Sequence, residues 1–456
     1  MSRWMLGMSV CLSLVAAGFA QNNPPVIPNL LVEVSHDFAQ TAGSQVINRC
    51  DPFQRSKDKM QLVGTQQTNA KVDINFVSSS QCAVIELAMN GVTSASTDAY
   101  RGRVHLNMST QISYSGTKRL IVDESGIRAC AADTHPNLDL NQLNCLDTSW
   151  RYPMDPLVRR LAYRVYTRQK PKIDRSVLED AQKELVKQFD DNAAKQLDKA
   201  NDKYWNEVRR PMEKRGIFPQ RIRIMTSEHQ FGLRLLLNDP TGKPMHFSPV
   251  PDIHGWPDVA IRLQESMLNN ATHSLFAGRH YTGEELDKEF NSLLKPLAGE
   301  IRTSDKDEAP FSITFPKEKP WEFHFDKQML RVTLRGQEFT SGDRDFDGMD
   351  TTAIYKLVKT PNGFNLERQG DLQIYPPGFK PGVDRLGARE QVLRKLLEKK
   401  FGRIFKEKFE IDEIQMPESL EKVGVLVSTQ AESDKGWLVL AWRRQAATKP
   451  RAPRAK

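Results

Sequence analysis

Apolar and polar residues alternate along several short segments in the first third of the chain. Residues 32–34 alternate, and apolar residues then recur at helical spacing, which predicts a strand leading into an amphipathic helix. These helical positions are Phe38, Ala42, Val46 and Ile47. Further alternating segments lie at 71–76, 83–89, 104–113 and 119–122. Because alternation places apolar side chains on one face, they predict an antiparallel meander with one buried face.

Residues 155–214 are instead dense in Lys, Glu, Gln, Ala and Leu, and their apolar residues follow a helical repeat after Pro171. The repeat positions are Leu178, Leu185, Phe189, Leu197 and Tyr204. This pattern predicts one long helix or a helical hairpin with a solvated outer face. Strands at 221–225 and 231–237 then close the module.

The same order of elements begins again after residue 257. At a constant offset of 229, apolar residues of the first strand and helix fall on apolar residues of the second half. Val34, Phe38, Ala42, Val46 and Ile47 fall on Leu263, Met267, Ala271, Leu275 and Phe276. Strands are predicted at 311–315, 321–325, 330–334, 351–357, 371–375, 423–428 and 437–442, and a helix at 384–408. The fold class is therefore α+β, with two tandem modules. In each, an N-terminal amphipathic helix and a long returning helix cover an antiparallel meander.

The predicted domain organisation follows from this repeat and from the residues that break it. Residues 239–257 hold seven Pro and Gly residues, which indicates a linker. The segments are a signal peptide (1–20), a linker (21–28), a first module (29–238), the Pro/Gly linker (239–257), a second module (258–442) and a basic disordered tail (443–456).

The N-terminus has the pattern of a secretory signal peptide. Arg3 supplies the positive charge, residues 5–15 the apolar region, and Gly18, Phe19 and Ala20 a small-x-small cleavage site. Cleavage near Ala20 predicts a periplasmic or extracellular protein. An uncleaved anchor is the alternative, although the apolar run is shorter than the ~20 residues of a spanning helix.

Four cysteines remain after removal of the leader, and an even number in an oxidising compartment predicts two disulfides. They are Cys50, Cys82, Cys130 and Cys145. The pairing of Cys50 with Cys82 and of Cys130 with Cys145 needs the least long-range closure, while the other two connectivities stay open. Zinc is disfavoured because CxxC-type spacing is absent.

The chain carries 65 Lys and Arg against 57 Asp and Glu, a formal charge of +8. Six of these positive charges lie in Arg443–Lys456, a segment without acids, so the folded body is nearly neutral. This tail predicts attraction to an anionic envelope surface. It does not predict nucleic-acid binding, because no aromatic and basic platform accompanies it.

Catalytic signatures and cofactor motifs are absent: the chain holds no GxSxG, GxxxxGK[ST] or GxGxxG. The sequence therefore predicts no cofactor and leans against an enzyme. A calcium-like spacing of acids occurs at Asp343, Asp345 and Asp347, but the twelfth position is Ile354 in place of the bidentate Glu. These three residues are the metal candidates, and a solvated hairpin turn is the alternative.

Aromatic residues recur at alternate positions in the second module, where they share one predicted sheet face. They are Phe311, Phe315, Trp321, Phe323 and Phe325. These side chains are candidates for an apolar groove, and a filled core would use the same pattern.

Two resemblances accompany these elements. Residues 254–279 and 334–349 resemble a family of uncharacterised exported bacterial proteins, which implies no activity. The order of elements over residues 29–442 is similar to the tubular lipid-binding superfamily typified by bactericidal/permeability-increasing protein. That likeness implies sheets curled around helices with an apolar groove for acyl chains. The predicted function is an exported, non-enzymatic protein that binds an amphipathic ligand, above all a lipid. The alternatives are a structural or adhesive envelope protein and a hydrolase without a short motif.

Overall fold

The computed structural model describes residues 27–57, 60–149, 154–242, 248–298, 309–416 and 418–445. Antiparallel strands and helices make up most of these residues, which confirms the α+β class. The predicted signal peptide, residues 21–26 of the first linker and residues 446–456 of the tail lie outside the described residues.

The secondary structure elements are numbered in chain order. As far as the second linker they are β1 (Leu30–Ser35), α1 (His36–Gly43), β2 (Gln45–Lys57), β3 (Met60–Val77), β4 (Ala83–Arg101), β5 (Val104–Asp123), β6 (Gly126–Ala129), β7 (Asp133–Thr148), α2 (Met154–Lys203), a π-helical segment (Tyr204–Arg209), α3 (Arg210–Arg215), β8 (Arg221–Thr226) and β9 (Gln230–Leu236).

The remaining elements begin with β10 (Val259–Gln264), α4 (Glu265–Phe276), β11 (His280–Thr282) and α5 (Gly283–Ala298). They continue with β12 (Phe311–Thr314), β13 (Trp321–Asp326), β14 (Met329–Ser341), β15 (Arg344–Lys359), β16 (Phe364–Arg368), β17 (Gln373–Tyr375), α6 (Ala388–Phe401), β18 (Lys408–Ile411), β19 (Ile414–Gln415), a 3₁₀ helix (Glu418–Val423), β20 (Val425–Asp434) and β21 (Trp437–Gln445).

The chain forms two compact units. Among the described residues, the first comprises Ala39–Asp202 and Met225–His229, and the second comprises residues 27–38, Lys203–Ile224 and residues 230–445. The predicted Pro/Gly linker at 239–257 lies within the second unit, apart from residues 243–247, which lie outside the described residues.

The first unit contains a sheet of long antiparallel strands and most of α2. Its order is β2-β3-β4-β5, and both β6 and β7 pair with β5. Strand β4 has 19 residues and β5 has 20, so each is longer than the segment that alternation predicts. Along β3 the burial of side chains alternates from Met60 to Ala70, as expected for a strand with one covered face.

The second unit contains a sheet with a two-fold pattern in its strand order. Six of its strands follow the order β8-β9-β1-β10-β21-β20, in which each half of the chain contributes one early and two late strands. Strands β1 and β10 are antiparallel neighbours, and Val32 pairs with Ile261, its own equivalent at the offset of 229. A local two-fold axis therefore passes through this pair of residues.

Equivalent hydrogen bonds repeat about this axis. The Ser35 amide donates to the Asp258 carbonyl at 2.8 Å, and the equivalent Gln264 amide donates to the Asn29 carbonyl at 2.9 Å. The Asn29 side chain accepts from the Leu237 amide at 3.0 Å. The Asp258 carboxylate likewise accepts from the Arg444 amide at 2.7 Å. The internal repeat is thus visible in hydrogen bonding as well as in apolar spacing.

The same contacts correct the predicted start of the tail at Arg443. Strand β21 continues to Gln445, because Arg443 and Arg444 pair with Val427 and Leu426 of β20. The Arg443 guanidinium also donates to the Trp256 carbonyl at 2.8 Å. Two of the six predicted tail charges therefore belong to the last strand.

A second sheet and the helices α3, α4, α5 and α6 also belong to the second unit. The sheet order is β11-β12-β14-β15-β16-β18, with β13 paired to β14 and β17 paired to β15. Helix α4 has 12 residues, whereas α1 ends after 8 at Gly43, so Val46 and Ile47 lie in β2 and not in the predicted helix. Gly43 and the β-branched residues after it favour this early end. The returning helix α6 has only 14 residues and ends at Phe401 before Gly402.

Candidate functional site

The inner face of the first unit's sheet, which α2 covers, changes in character along the strands. Cross-strand pairing aligns its side chains into rows that run across the sheet. Near the β3–β4 loop the rows are buried and, apart from Lys118, apolar. They include Ile74, Phe76, Ile85, Leu87 and Leu120. In the next rows, Leu185 and Phe189 of α2 pack against a cluster centred on Tyr114. This end of the face is a packed core.

Two more polar rows follow, and we call their polar residues the polar belt. They are Arg49, Asp51, Gln66, Thr68, Thr93, Thr110 and Asn141. The hydroxyls of Thr68 and Thr93 hydrogen-bond at 3.0 Å, and the Thr110 hydroxyl donates to the Asn141 side chain at 3.2 Å. Asn141 in turn donates to Asp174 of α2 at 2.6 Å. The belt thus ties the helix to the sheet.

Beyond the belt the inner face becomes apolar again, and we call this region the distal patch. It consists of Phe53, Met60, Leu62, Leu106, Met108, Leu143 and Leu146. Each of these side chains is half-buried, in contrast to the fully buried residues of the packed core. Between them lie the small residues Gly64, Thr97 and Ala99, so the patch has little bulk at its centre. A large apolar face that remains half-covered is suited to a ligand.

Helix α2 covers this face incompletely. Of its 50 residues, only Tyr166, Ala193 and Leu197 are fully buried. Polar contacts join it to β5, β6, β7 and the loop between the last two. They include Arg159 with Asp147 at 2.5 Å, Asn141 with Asp174, Gln182 with Thr134, Lys118 with Asp190, and Asn201 with Ile127. The helix is therefore anchored on the β5–β7 side, and Phe53, Met60 and Leu62 lie on the other side.

Cationic side chains border the distal patch on the edge strand β2. The Arg55 guanidinium lies over the Phe53 ring at 5.9 Å from its centroid. Arg49 forms an ion pair with Asp51, and this hydrogen bond raises the pKa of the guanidinium above its usual value. An apolar surface beside exposed guanidinium groups matches a ligand with an acyl chain and an anionic headgroup.

The five aromatic residues predicted to line a groove form a packed core in the second unit. Phe311, Phe315, Trp321 and Phe325 are buried, and Phe323 is half-buried with its ring stacked on Trp321. Phe276 of α4 lies against both Phe315 and Trp321, with ring centroids 5.1 and 5.9 Å apart. The helices thus fill the space that a groove at these residues would need.

The candidate metal ligands lie on a β-hairpin. Asp343 is in the turn between β14 and β15, while Asp345 and Asp347 are in β15 and pair with Thr340 and Glu338. In the ranges that the structure describes, no three His, Cys, Asp or Glu side chains are grouped to hold a metal ion. The spacing of the acids reflects a strand with alternating exposure, and the calcium prediction is not met.

The structure also contradicts the predicted disulfides, because all four cysteines are free. Residues 133–148 form the extended strand β7 and not the loop that a bridge would close. At about 3.3 Å per residue, the strand separates Cys130 from Cys145 by roughly 40 Å. Cys50 pairs with Gln67 of β3, and the rest of that strand separates it from Cys82 in the same way.

A polar cleft of about 990 Å³ lies in the second unit beside β14, β15 and the start of α6. Arg335 lines it and contacts two carboxylates, Glu322 and Asp350, the latter at 3.7 Å. Burial raises the pKa of Asp350 above its usual value, against the opposing effect of the Arg335 charge. Burial also acts to raise the pKa of Glu322, but hydrogen bonds from Arg335 and Lys319 outweigh it and lower that pKa.

Comparisons with known proteins add little to this geometry. No protein-family model matches the chain, and no curated protein matches it in sequence. A crystal structure of lipopolysaccharide binding protein aligns with 10% identity and a TM-score of 0.29, over 92% of this chain and 99% of that chain. A likeness at this level carries no argument about fold or function. Among the described residues, no helix is both long and apolar enough to cross a membrane.

Proposed function

We propose that the protein is an exported, non-enzymatic carrier or receptor that binds a lipid on the distal patch of its first unit. The observation that supports this most directly is the half-burial of seven apolar side chains beneath a long helix. Complete burial of a large apolar side chain contributes about 1.5–3 kcal/mol. Because these side chains are only half-buried, further burial by an acyl chain would be favourable. Export rests on the N-terminal leader described above.

The ligand class follows from the border of the patch. Arg55 stands over Phe53 and is exposed, so an anionic headgroup would reach a guanidinium while its chain lies on Phe53, Met60 and Leu62. A charge-assisted hydrogen bond to such a headgroup would be stronger than one to a neutral group. A long-chain fatty acid is therefore the simplest probe, and a monoacylglycerol of equal chain length is its neutral counterpart.

The chain offers a matched control for the apolar contact. Leu62 and Leu143 belong to the patch, whereas Val63 and Leu140 are exposed and do not share its rows. Binding of a fluorescent fatty acid to the full-length mature protein should fall about tenfold or more in L62S/L143S, the equivalent of about 1.4 kcal/mol or more. The control V63S/L140S should bind within about twofold of wild type. Circular dichroism of both variants checks that the fold is retained.

Two further measurements sharpen the test. R55Q should weaken binding of the fatty acid and leave binding of the monoacylglycerol unchanged. Mass spectrometry of an organic extract of protein purified from its own compartment should detect bound lipid. Equal binding by L62S/L143S and V63S/L140S would contradict the proposal, as would an extract without lipid from a wild-type protein that takes up no fatty acid.

A further inference from the structure

The first half of α2 carries an apolar stripe on its solvent side. The stripe consists of Met154, Leu157, Leu161 and Val165, which recur at spacings of three and four residues on one helical face. Leu157 is 65% exposed and Leu161 is 64% exposed, values that are high for leucine in a folded unit. Scattered exposed apolar residues are normal, but four on one continuous helical face are not.

This stripe points away from the sheet. Tyr166 is the buried residue of this part of the helix, and it follows Leu161 by five residues. At about 100° per residue, five residues place Leu161 about 140° around the helix axis from Tyr166. Asp155 and Arg159, which contact Thr148 and Asp147 of β7, mark the sheet-facing side as well. The stripe therefore contributes neither to the packed core nor to the distal patch.

Basic residues extend the same face toward the C-terminal end of the helix. Residues 154–175 contain seven basic and two acidic residues, a net charge of +5. Arg159 contacts Asp147 and Asp155, and Lys170 contacts Asp174. The other five are exposed, namely Arg160, Arg164, Arg168, Lys172 and Arg175. Of these, Arg168 and Lys172 lie seven and eleven residues after Leu161, so they continue the apolar stripe along the helix.

From this arrangement we infer that residues 154–175 of α2 dock the protein onto the surface of an anionic lipid membrane. The apolar stripe enters the boundary between headgroups and acyl chains, and the guanidinium and ammonium groups contact the headgroup phosphates. Charge complementarity selects this partner, because a purely apolar partner would leave the five exposed cations unused. This surface is separate from the distal patch, and its role does not depend on lipid binding there.

Co-sedimentation of the full-length mature protein with large unilamellar vesicles tests the inference. One vesicle type contains phosphatidylcholine and phosphatidylglycerol at 7:3, and the other contains phosphatidylcholine alone. The wild-type protein should bind the anionic vesicles at least tenfold more tightly than the neutral ones, and 0.5 M NaCl should weaken this binding through screening. The basic C-terminal segment is present in every form and does not affect the comparison between variants.

Three variants separate the docking surface from its alternatives. L157S/L161S and R164E/R168E should each lower binding to anionic vesicles about tenfold, while uptake of a fluorescent fatty acid is retained. The matched control V46S/V383S replaces residues that are 68% and 77% exposed elsewhere and should bind like wild type. Equal vesicle binding by L157S/L161S and wild type would overturn the inference. Equal loss of vesicle binding by the control would also overturn it. So would a change from dimer to monomer in L157S/L161S, measured by sedimentation velocity, because the stripe would then be a self-association surface.

Discussion

The two units use helices to cover sheets in different ways. Helix α2 has 50 residues and fully buries three, whereas α6 has 14 residues and fully buries four. The four in α6 are Leu393, Leu397, Lys400 and Phe401. Phe401 lies against Phe311 with ring centroids 6.4 Å apart, and the Lys400 ammonium lies over the Phe311 ring at 4.9 Å.

The extent to which helices cover each sheet indicates where a ligand-binding site can lie. The sheet of the first unit and the second sheet of the second unit both have an apolar face, and in each the sequence alternates along some of the strands. In the second unit, aromatic rings from α4, α5 and α6 occupy the face, so its apolar residues contribute to stability. In the first unit the helix leaves the distal patch half-covered, so its residues contribute less to stability and are available to a ligand.

The largest expected difference between the two regions is in the cost of truncating an aromatic ring. F401A should lower the free energy of unfolding by about 3–5 kcal/mol, because it leaves a cavity in a packed core. F53A in the distal patch should cost only about 1 kcal/mol, because its ring is already half-exposed. Urea denaturation followed by tryptophan fluorescence measures the first, since Trp321, Trp437 and Trp442 are buried in the second unit.

Hydrogen exchange followed by mass spectrometry measures the effect of F53A on the first unit, because it resolves peptides of that unit separately. If F53A accelerated exchange throughout β2–β5 as strongly as F401A does in β12–β15, the distal patch would be a tight core. The contrast between the two regions would then fail.

A smaller effect is expected for the ion pair that anchors α2. Lys118 is buried and donates to Asp190 of α2 and to the Cys130 carbonyl, the latter at 2.9 Å. D190N should lower the free energy of unfolding of the first unit by about 2 kcal/mol. This is less than the 3–5 kcal/mol of a fully buried pair, because the Asp190 side chain is 38% exposed.

The neighbouring residue provides the control for this prediction. Asp191 is exposed, so D191N should change the free energy of unfolding by no more than about 0.5 kcal/mol. Thermal denaturation followed by far-ultraviolet circular dichroism compares the two variants. Equal costs would show that the effect comes from the charge of the helix and not from the buried ammonium group.

Local pattern was sufficient to predict the class of the fold and its repeat. The offset of 229 found from apolar spacing relates Val32 to Ile261, and these two residues pair at the centre of the neighbouring strands β1 and β10. Strand lengths were harder to predict, because the inner positions of β4 beyond Gly91 are Thr93, Ala95, Thr97 and Ala99. Such small residues do not stand out as an alternating apolar pattern, although they permit close packing of a helix.

The candidate site could be predicted only in part. Leu106 and Met108 lie in the predicted strand 104–113, but β2 was not predicted, because its inner positions include Arg49, Asp51 and Arg55. The groove predicted at Phe311, Phe315, Trp321, Phe323 and Phe325 is a core, since sequence does not specify what packs on a face. The disulfide prediction failed for a related reason: an extended strand separates cysteines that are close in sequence.

The smallest expected effects concern the polar cleft, where Arg335 contacts two carboxylates. The pKa values of these two groups are shifted in opposite directions. The pKa of Asp350 is raised by burial, so its contribution to stability is present at low pH and is lost as the pH rises through the folded pKa. The pKa of Glu322 is lowered, despite burial, by Arg335 and Lys319, so its contribution is present at neutral pH and is lost as the pH falls.

These opposite signs predict opposite pH dependences for two amide variants. Relative to wild type, D350N should become more stable as the pH rises from about 4, the ordinary value for Asp, because the variant has no buried charge to form. E322Q should lose stability relative to wild type above that pH, because the favourable contacts of Glu322 with Lys319, 3.0 Å away, and with Arg335 are lost. Urea midpoints of the second unit, followed by tryptophan fluorescence between pH 3 and 7, test both signs. If the urea midpoints of D350N and E322Q changed with pH in the same direction, Arg335 would neutralise the two carboxylates equally. Asp350 would then be an ordinary ion-pair partner.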